Sequence, residues 1–245
     1  MTTVQPRSSY GIDAPPVVVG LALGIVVNLL SALLVGIFLN TVAGWVVALF
    51  ALPTIAQLAL YLHSTRRGKF LVWAELLGNL GLRGDERLLD LGCGRGAVLI
   101  AAARRLPAGR AVGVDLWRSV DQSGNSEETT MRNAAAEGVA DRVELRTGDM
   151  TALPFPDNDF DVVVSSLAIH NIKSADGRIA AVREAVRVLR PGGHLVIADI
   201  GRTHEYETTL ATLGALSLAR HRLDYRMWWG GPWLSTYAVT AIAPD

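Results

Sequence analysis

The hydrophobic pattern divides the chain into an apolar N-terminal part and a mixed C-terminal part. Residues 14–65 contain no Asp, Glu, Lys or Arg. Within them, residues 17–39 and 42–62 are each long enough to cross the hydrocarbon core of a bilayer as a helix, which takes about 20 residues. The pattern therefore predicts two transmembrane helices over residues 17–63, after a tail at residues 1–16.

Two other interpretations of this apolar part are open. A cleaved signal peptide has a basic start and an apolar region of about 7 to 15 residues, whereas this apolar stretch is longer and Arg7 is the only basic residue before it. A pair of buried helices in a soluble protein would normally show a polar face on each helix. Membrane insertion is the interpretation that the pattern favours.

The flanks of the two helices predict their topology. Residues 40–41 leave only a short connection, which predicts a tight antiparallel hairpin with both ends on one side. Arg66, Arg67 and Lys69 directly follow the second helix, and short basic flanks face the cytoplasm. We therefore expect a multi-pass protein of the cell membrane whose remaining part is cytoplasmic.

Small side chains recur at every fourth position of the first predicted helix. The row consists of Gly20, Gly24, Asn28, Ala32 and Gly36. Such a row lets another helix backbone approach closely in lipid, and the partner would be either the second helix or a second copy of the chain in a homodimer. An ordinary membrane composition is the alternative. Pro53 lacks a backbone N–H and is expected to kink the second helix.

The C-terminal part alternates between strand and helix patterns. A linker at residues 64–84 contains an amphipathic helix at residues 69–80, and an α/β domain is predicted over residues 85–245. Predicted strands occupy residues 87–91, 111–115, 142–147, 160–165 and 194–199. Predicted helices occupy residues 97–106, 127–137, 177–189 and 206–220. A loop is expected at residues 116–126, and the sixth strand with its turn into the seventh at residues 224–233.

A glycine-rich turn follows the first predicted strand. Gly92, Gly94 and Gly96 remove side chains at positions where a ligand could approach the backbone. Such a turn presents backbone amides and a helix N-terminus to a nucleoside-bearing ligand. The spacing of Gly92, Gly94 and Ala97 also fits a dinucleotide fingerprint, so NAD binding and a plain tight turn are alternatives.

Two further strand ends carry side chains suited to a nucleoside. Asp115 ends the second predicted strand, where a carboxylate can accept hydrogen bonds from both ribose hydroxyls of an adenosine group. Asp149 and Met150 follow the third strand, so the carboxylate could accept from an adenine amino group and the thioether could pack on the ring. Three successive strand ends thus predict one nucleoside pocket.

Five ordered motifs resemble those of class I S-adenosylmethionine-dependent methyltransferases. They are Asp-Leu-Gly-Cys-Gly-Arg-Gly at residues 90–96, Gly-Val-Asp at 113–115, Gly-Asp-Met at 148–150, Leu-Pro-Phe-Pro-Asp-Asn-Asp-Phe-Asp-Val at 153–162 and Leu-Arg-Pro-Gly-Gly-His-Leu-Val-Ile-Ala-Asp at 189–199. The resemblance extends from residue 68 to the C terminus and is closest to the small-molecule and quinone-type enzymes. It implies a Rossmann-like sheet of seven strands, the last antiparallel, and S-adenosylmethionine as cofactor.

The resemblance also implies which residues hold the cofactor. Asp90 and the glycine-rich turn would bind its amino acid end, Asp115 its ribose, and Asp149 with Met150 its adenine. The implied cofactor-binding residues are Asp90, Gly92, Cys93, Gly94, Gly96, Asp115, Leu116, Asp149, Met150 and Ser166.

His170 follows the fourth predicted strand on the ligand side of the sheet. Methyl transfer from a sulfonium is an in-line displacement, which needs an aligned acceptor, and a base where that acceptor must lose a proton. Histidine titrates near neutral pH and suits this work. His170 is therefore a candidate general base, with a structural or substrate-contacting role as the alternative.

Tryptophans mark two candidate substrate regions. Trp117 lies in the loop at residues 116–126 and could cover the cofactor or the substrate mouth. Trp228, Trp229 and Trp233 could form an aromatic wall for an apolar substrate or lie at the bilayer interface. Packing of the hairpin onto neighbouring helices, and for Trp117 a longer surface connection, are the alternatives.

Charge and cysteine content limit the remaining function classes. The formal net charge is zero, which gives no argument for a nucleic-acid partner. Cys93 is the only cysteine, which excludes an internal disulfide and a multi-cysteine metal site, and no metal is expected.

The sequence predicts a membrane-anchored S-adenosylmethionine-dependent methyltransferase that acts on a small lipophilic acceptor, such as a lipid or quinone. One alternative is a methyltransferase of a soluble or foreign small molecule, with the anchor serving only location. Another is a membrane sensor or scaffold that binds the cofactor without turnover.

Overall fold

The computed structural model describes residues 8–118 and 122–244 of the chain. The predicted tail and the loop at residues 116–126 lie partly outside the described residues. The helices are α1 (Pro15–Phe38), α2 (Thr41–Leu49), α3 (Ala51–His63), α4 (Lys69–Gly78), α5 (Ala97–Ala103), α6 (Glu127–Ala136), α7 (Ala175–Arg187) and α8 (Thr203–Thr212). The strands are β1 (Arg87–Leu91), β2 (Arg110–Asp115), β3 (Val143–Thr147), β4 (Phe160–Ser166), β5 (Leu189–Ile200), β6 (Leu216–Arg222) and β7 (Thr236–Ile242).

The first helix and the helices that follow it form a tight hairpin. Asn40 lies in the connection and caps α2, because its side chain accepts a hydrogen bond from the amide of Ala43 at 2.8 Å. Gly36 and Gly44 meet between the two arms, and a Cβ on Gly44 would lie 2.8 Å from the carbonyl oxygen of Ala32. Only a glycine at this point lets the backbones approach so closely.

The row of small residues on α1 is therefore used in part. Its C-terminal half, at Ala32 and Gly36, packs against the second arm. At Gly20 and Gly24, no described atom lies within 4 Å of the position that a Cβ would take. Whether a second copy of the chain packs on that half stays a prediction.

The second arm is one long helical rod with two irregular points. Pro53 cannot donate to the carbonyl of Leu49, and the α-helix is interrupted at Phe50, between α2 and α3. A π turn at Ser64–Gly68 then joins α3 directly to α4. The predicted linker helix thus continues the second apolar helix without a loop.

Both arms have the length and composition of membrane spans. The candidate spans are Pro15–Phe38 and Thr41–Gly78, and only 6% and 11% of their apolar windows are buried. Large apolar side chains such as Phe38, Leu39 and Trp45 are exposed. The core helix of a soluble protein would instead be mostly buried.

The C-terminal part of the described chain contains one seven-stranded sheet in the order β3-β2-β1-β4-β5-β7-β6. Strands β1 to β5 pair in parallel, and β7 pairs antiparallel with both β5 and β6. The predicted Rossmann-like sheet is confirmed. In a doubly wound sheet, ligands bind in the crevice at the carboxyl ends of the parallel strands.

Apolar side chains cover the sheet on both faces. Alternate residues of β1 enter different cores: Leu88 packs with Trp73 of α4 and Leu99 of α5 in one, and Leu89 packs with Tyr206 of α8 in the other. A strand buried on both faces explains the nearly continuous apolar run in the sequence.

The strand β5 begins at Leu189, earlier than the predicted residue 194, and the elements after β5 differ more from their prediction. A helix was expected over residues 206–220, but α8 ends at Thr212 and β6 begins at Leu216. Gly214 has a φ of +76°, a conformation that commonly ends a helix. Because β6 is a largely exposed edge strand, it lacks the alternating pattern that would mark it as a strand.

As a result, the tryptophan-rich stretch at residues 224–233 was assigned to the sixth strand, although it follows that strand. It was expected to form the sixth strand and its turn, whereas it forms the connection between β6 and β7, with short 3₁₀ turns at Tyr225–Met227 and Pro232–Leu234. This connection packs against the second arm. Ser64 donates a hydrogen bond to the Trp228 carbonyl at 2.8 Å.

Candidate active site

A cavity of about 910 Å³ opens at the carboxyl ends of β1, β2 and β4. Ligand pockets commonly measure about 300 to 1,000 Å³, so this one is large enough for two small reactants. Strand ends form one side of it, and the bases of the two apolar arms with the β6–β7 connection form the other. The cavity therefore lies where the sheet meets the helical hairpin.

The glycine-rich turn closes one end of this cavity. Gly92 has a φ of +71°, and a Cβ there would lie 2.3 Å from the Cβ of Ala168. The amides of Gly92 and Cys93 donate to the carbonyl of Val114 at 2.8 and 3.2 Å. The turn is thus held against β2, and a side chain at Gly92 would obstruct the cavity wall.

Asp90 supplies a buried carboxyl group behind this turn. It is only 1% exposed, and neither oxygen makes a well-formed hydrogen bond to a described residue. Burial raises its pKa from 3.8 to about 8; the nearby backbone amide of Leu99 offsets part of this rise, and the charge of Asp115 adds to it. Such a group needs a partner, and the ammonium of an amino acid ligand would provide one. The site therefore fits the amino acid end of S-adenosylmethionine.

The carboxylate of Asp115 is fixed at the end of β2. It accepts hydrogen bonds from the amide of Gly94 at 2.8 Å, from the amide of Trp117 at 2.6 Å and from the side chain of Asn125 at 3.2 Å. Asp115 and Leu116 line the cavity. Their position suits a ribose beside the glycine-rich turn.

The next two strand ends complete the side expected to hold the cofactor. Asp149 is exposed at the cavity edge and accepts from the amide and hydroxyl of Thr151, while Met150 lines the cavity next to it. Ser166 also lines the cavity, and its hydroxyl accepts from the indole nitrogen of Trp73 at 2.8 Å.

Cys93 lines the same cavity, and its thiol is buried, which raises its pKa. Gly96 begins α5 and is not among the described residues of the wall.

His170 lines the cavity, two residues after the Ala168 that packs against Gly92, and is oriented by a buried carboxylate. Its Nδ1 lies 2.5 Å from Oδ1 of Asp199, and its amide donates to Oδ2 at 3.0 Å. Asp199 also accepts from the Tyr206 hydroxyl at 3.2 Å. A carboxylate on Nδ1 holds the proton there and makes Nε2 the basic nitrogen.

Sequence reasoning missed Asp199 and Tyr206. Asp199 is fully buried at the C-terminal end of β5, and Tyr206 lies on α8. Burial and the neighbouring carboxylate raise the Tyr206 pKa, so the tyrosine remains a neutral hydrogen-bond donor. The sequence did contain one indication. Asp199 is an acidic residue near the end of β5, and β5 pairs with β4, the strand that His170 follows.

A polar cluster attaches the helical hairpin to the cavity. Oδ2 of Asp13 lies 2.7 Å from Lys69 Nζ and 2.6 Å from the Thr65 hydroxyl, and Oδ1 accepts from the Gln122 side chain at 2.9 Å. The Tyr61 hydroxyl donates to the Asp13 carbonyl. These contacts join the start of α1, the second arm and the loop after β2. In the sequence, these contacts are indicated only by the positions of Asp13 and Lys69, which flank the apolar segment.

Gln122 connects this cluster to the glycine-rich turn. Its Oε1 accepts from the amide of Arg95 at 2.8 Å. Gln122 therefore bridges Asp13 on one side and the cofactor loop on the other.

The structure separates the four tryptophans predicted to contact substrate. Trp229 is buried in the cavity wall, edge-on to Tyr61 with ring centroids 5.4 Å apart. Trp117 donates to the Thr147 hydroxyl, Trp228 donates to a backbone carbonyl, and Trp233 is 74% exposed. These three are not among the described residues of the wall.

The Rossmann-like sheet, together with the family match and the relatives that follow, supports a class I methyltransferase domain of the S-adenosylmethionine-dependent type. Residues 89–197 match the family described as methyltransferase domain. Over 132 residues the chain is 36% identical to the ubiquinone/menaquinone biosynthesis C-methyltransferase of Dinoroseobacter shibae, which covers 54% of this chain and 49% of that protein. It is 32% identical over 129 residues to the demethylmenaquinone methyltransferase of Symbiobacterium thermophilum, covering 52% and 48%.

A third relative has a different kind of name. The 27-O-demethylrifamycin SV methyltransferase of Amycolatopsis mediterranei is 36% identical over 127 residues, covering 51% of this chain and 42% of that protein. The chain thus spans about half the length of these curated relatives.

Solved structures share the fold at lower identity. The [4+2]-cyclase SpnF superposes with a TM-score of 0.61 at 20% identity, over 74% of this chain and 83% of that one. The geranyl diphosphate C-methyltransferase of Streptomyces coelicolor superposes with a TM-score of 0.56 at 19% identity, over 71% and 79%. Because one of these proteins is named a cyclase, fold alone does not define the reaction.

Proposed function

We propose that the protein is a membrane-anchored methyltransferase that transfers the methyl group of S-adenosylmethionine to a hydroxylated, lipophilic acceptor of the quinol type. One observation carries the proposal. A single cavity is lined by the buried Asp90 carboxyl, by His170, whose Nδ1 contacts Asp199, and by the bases of two apolar helices.

Each cofactor-binding side chain has a defined task in this proposal. S-adenosylmethionine, when bound, supplies a methyl group on a positively charged sulfur. Asp90 balances the ammonium of its amino acid end, Asp115 binds the ribose hydroxyls, and Met150 packs against the adenine. Asp90, Asp115, Met150 and His170 all line the same cavity, so the base would share it with the bound donor.

His170 removes the proton that the acceptor must lose. Nε2 takes the proton from a quinol hydroxyl, and the resulting oxyanion makes either the oxygen or the adjacent ring carbon nucleophilic. Bound S-adenosylmethionine would supply its methyl group to that atom and leave as the neutral thioether. Where the ring carbon is methylated, that carbon must then lose its hydrogen as a proton for the ring to become aromatic again. Positioned general bases of this kind contribute about 10²- to 10⁴-fold in rate.

The exposed apolar helices support a membrane location. A soluble protein rarely leaves a contiguous apolar surface of more than a few hundred Å² in water, and almost none of the apolar windows of these two helices is buried. The basic residues Arg66 and Arg67 at the end of the second helix favour a cytoplasmic catalytic domain.

The relatives support the acceptor class. Two of them are named for methylating ubiquinone or menaquinone precursors, which are small phenolic compounds with an apolar tail. The rifamycin relative favours a second candidate, a hydroxylated acceptor without a lipid tail, methylated on oxygen. Both candidates use the same base.

The test uses the full chain purified into phosphatidylethanolamine/phosphatidylglycerol vesicles. It is incubated with S-adenosylmethionine labelled in the methyl group and with reduced 2-polyprenyl-1,4-naphthoquinone, and the organic extract is counted. We expect label in the quinol, and a His170→Gln variant that binds S-adenosylhomocysteine normally but transfers little label. A membrane extract offered to the same protein serves as an unbiased source of acceptors. Donor binding with no label in any extractable molecule would leave only a sensor or scaffold.

A further inference from the structure

We propose that the apolar tail of the acceptor passes sideways between the cavity and the bilayer, through an opening between the start of α1 and the β6–β7 connection. This inference rests on the proposed function and adds the route of entry and the residues that select a tailed acceptor. We call the opening the lateral portal and define it by Val17, Leu234 and Trp229.

The first argument comes from the two edges of the cavity. Val17 and Leu234 line the cavity and are 44% and 41% exposed, so they stand at one of its mouths. The exposed lining residues that follow β2, β3 and β4 are instead mostly polar: Arg118, Asp149, Asn171, Lys173 and Ser174. The polar mouth suits a charged donor arriving from water, and the apolar mouth suits a hydrocarbon tail.

The second argument is the position of the apolar mouth along the proposed membrane spans. Val17 lies in the first turn of α1, and Tyr61, which also lines the cavity, lies in the last turn of α3. The mouth is therefore at the cytoplasmic ends of both spans. The neighbouring Trp233 is 74% exposed, and exposed tryptophans are typical of the membrane–water interface.

The third argument is that aromatic side chains and the base line the same cavity as this mouth. Trp229 and Tyr61 are nearly buried and form an aromatic pair in the cavity wall, which also contains Val17, Leu234 and His170. A molecule with a reactive ring at one end and an apolar tail at the other matches this combination. Its ring would reach the base while its tail remained in lipid.

The fourth argument is that both sides of the mouth are fixed to the second arm. The buried Lys69 pairs with Asp13, which precedes α1, and Ser64 donates to the Trp228 carbonyl in the β6–β7 connection. Gly68 packs so closely against the Arg226 carbonyl that no side chain would fit there. The two sides of the portal are thus held apart by one helix.

The experiment narrows the portal and compares acceptors with and without a tail. Val17→Trp places an indole in the portal, and Val19→Trp is the matched control, because Val19 is exposed on the same helix but does not line the cavity. Each protein, in phosphatidylethanolamine/phosphatidylglycerol vesicles, is assayed with reduced 2-polyprenyl-1,4-naphthoquinone and with tail-free 1,4-dihydroxynaphthalene. Calorimetry with S-adenosylhomocysteine verifies that each variant retains its folded donor site.

We expect Val17→Trp to lower kcat/KM for the tailed acceptor by about tenfold or more and to change the tail-free acceptor by less than about twofold. Val19→Trp should leave both values within about twofold of the unsubstituted protein. The portal proposal is overturned if Val17→Trp lowers kcat/KM for both acceptors equally, or if Val17→Trp and Val19→Trp have the same kcat/KM for the tailed acceptor. It is also overturned if the unsubstituted protein methylates only the tail-free compound. Failure of the unsubstituted protein to methylate either compound would instead overturn the proposed function, and the portal with it.

Discussion

Replacing Asp90 with Asn tests how the cavity recognises the donor. The carboxyl group is buried and neither oxygen makes a well-formed hydrogen bond to a described residue. Its pKa is raised to about 8, mainly by burial, although the backbone amide of Leu99 offsets part of the rise. At pH 7 a group with this pKa is about nine-tenths protonated. The donor-free site is therefore neutral at this position, although it is built to receive a cation.

Donor binding should reverse that protonation. An ammonium group beside the carboxyl favours its charged form, so binding at pH 7 should release up to about 0.9 proton per site. The same group affects folding. As pH rises from about 4 to about 8, the unfolded carboxyl ionises while the folded one keeps its proton. The donor-free protein therefore loses stability over this range, by up to about 1.4 kcal/mol for each pH unit. Bound donor should remove most of this loss.

Titration calorimetry with S-adenosylhomocysteine measures the released proton directly. Binding heats are compared at pH 7 in two buffers of different ionisation enthalpy, and thermal unfolding is followed from pH 5 to pH 8 with and without ligand. Asp90→Asn should release no proton and should lose the pH-dependent part of the stability. Asp149→Asn, which removes an exposed carboxylate of the same cavity, should keep both. Equal proton release by the unsubstituted protein and Asp90→Asn would refute the reasoning.

Three further predictions concern the other parts of the site. Asp199→Asn should lower kcat by about 10²-fold or more with donor affinity unchanged, because the amide cannot hold the proton on Nδ1 of His170; single-turnover methyl transfer and its pH profile measure this. Lys69→Met should remove the cationic partner of Asp13, whose partly exposed carboxylate keeps its hydrogen bonds from Thr65 and Gln122, and should cost about 1.5 to 3 kcal/mol, measured by denaturant unfolding in detergent. Gly44→Leu should force the two arms apart and destabilise the protein by about 1 to 3 kcal/mol, whereas Gly24→Leu, with no neighbour in the described chain, should not.

Predictions from the sequence were most accurate for features that depend on residues adjacent in the chain. The strand at residues 87–91 and the glycines after it carry their information locally, and the strand ends at Asp115 and Asp149 follow from the parallel order of the sheet. The helical hairpin was evident for the same reason, because a continuous apolar segment needs no tertiary context to be recognised.

Prediction was incomplete where distant segments meet. Asp13 reaches Gln122 across 109 positions of the chain, and no local pattern indicates that pair. The strand β6 was predicted as part of a helix for a related reason. Its residues have fair helix propensity, and only pairing with β7 makes them a strand.

The second arm has a consequence for how the protein would respond to its surroundings. It runs as one rod from Thr41 to Gly78, and near its inner end Trp73 donates a hydrogen bond to Ser166 in the cavity wall. In a bilayer, a change in acyl-chain length tilts such a rod to match the hydrocarbon thickness. Tilting would move the Trp73 indole relative to Ser166 at the end of β4. The composition of the surrounding lipid would therefore alter the geometry of the cavity in which the two reactants meet.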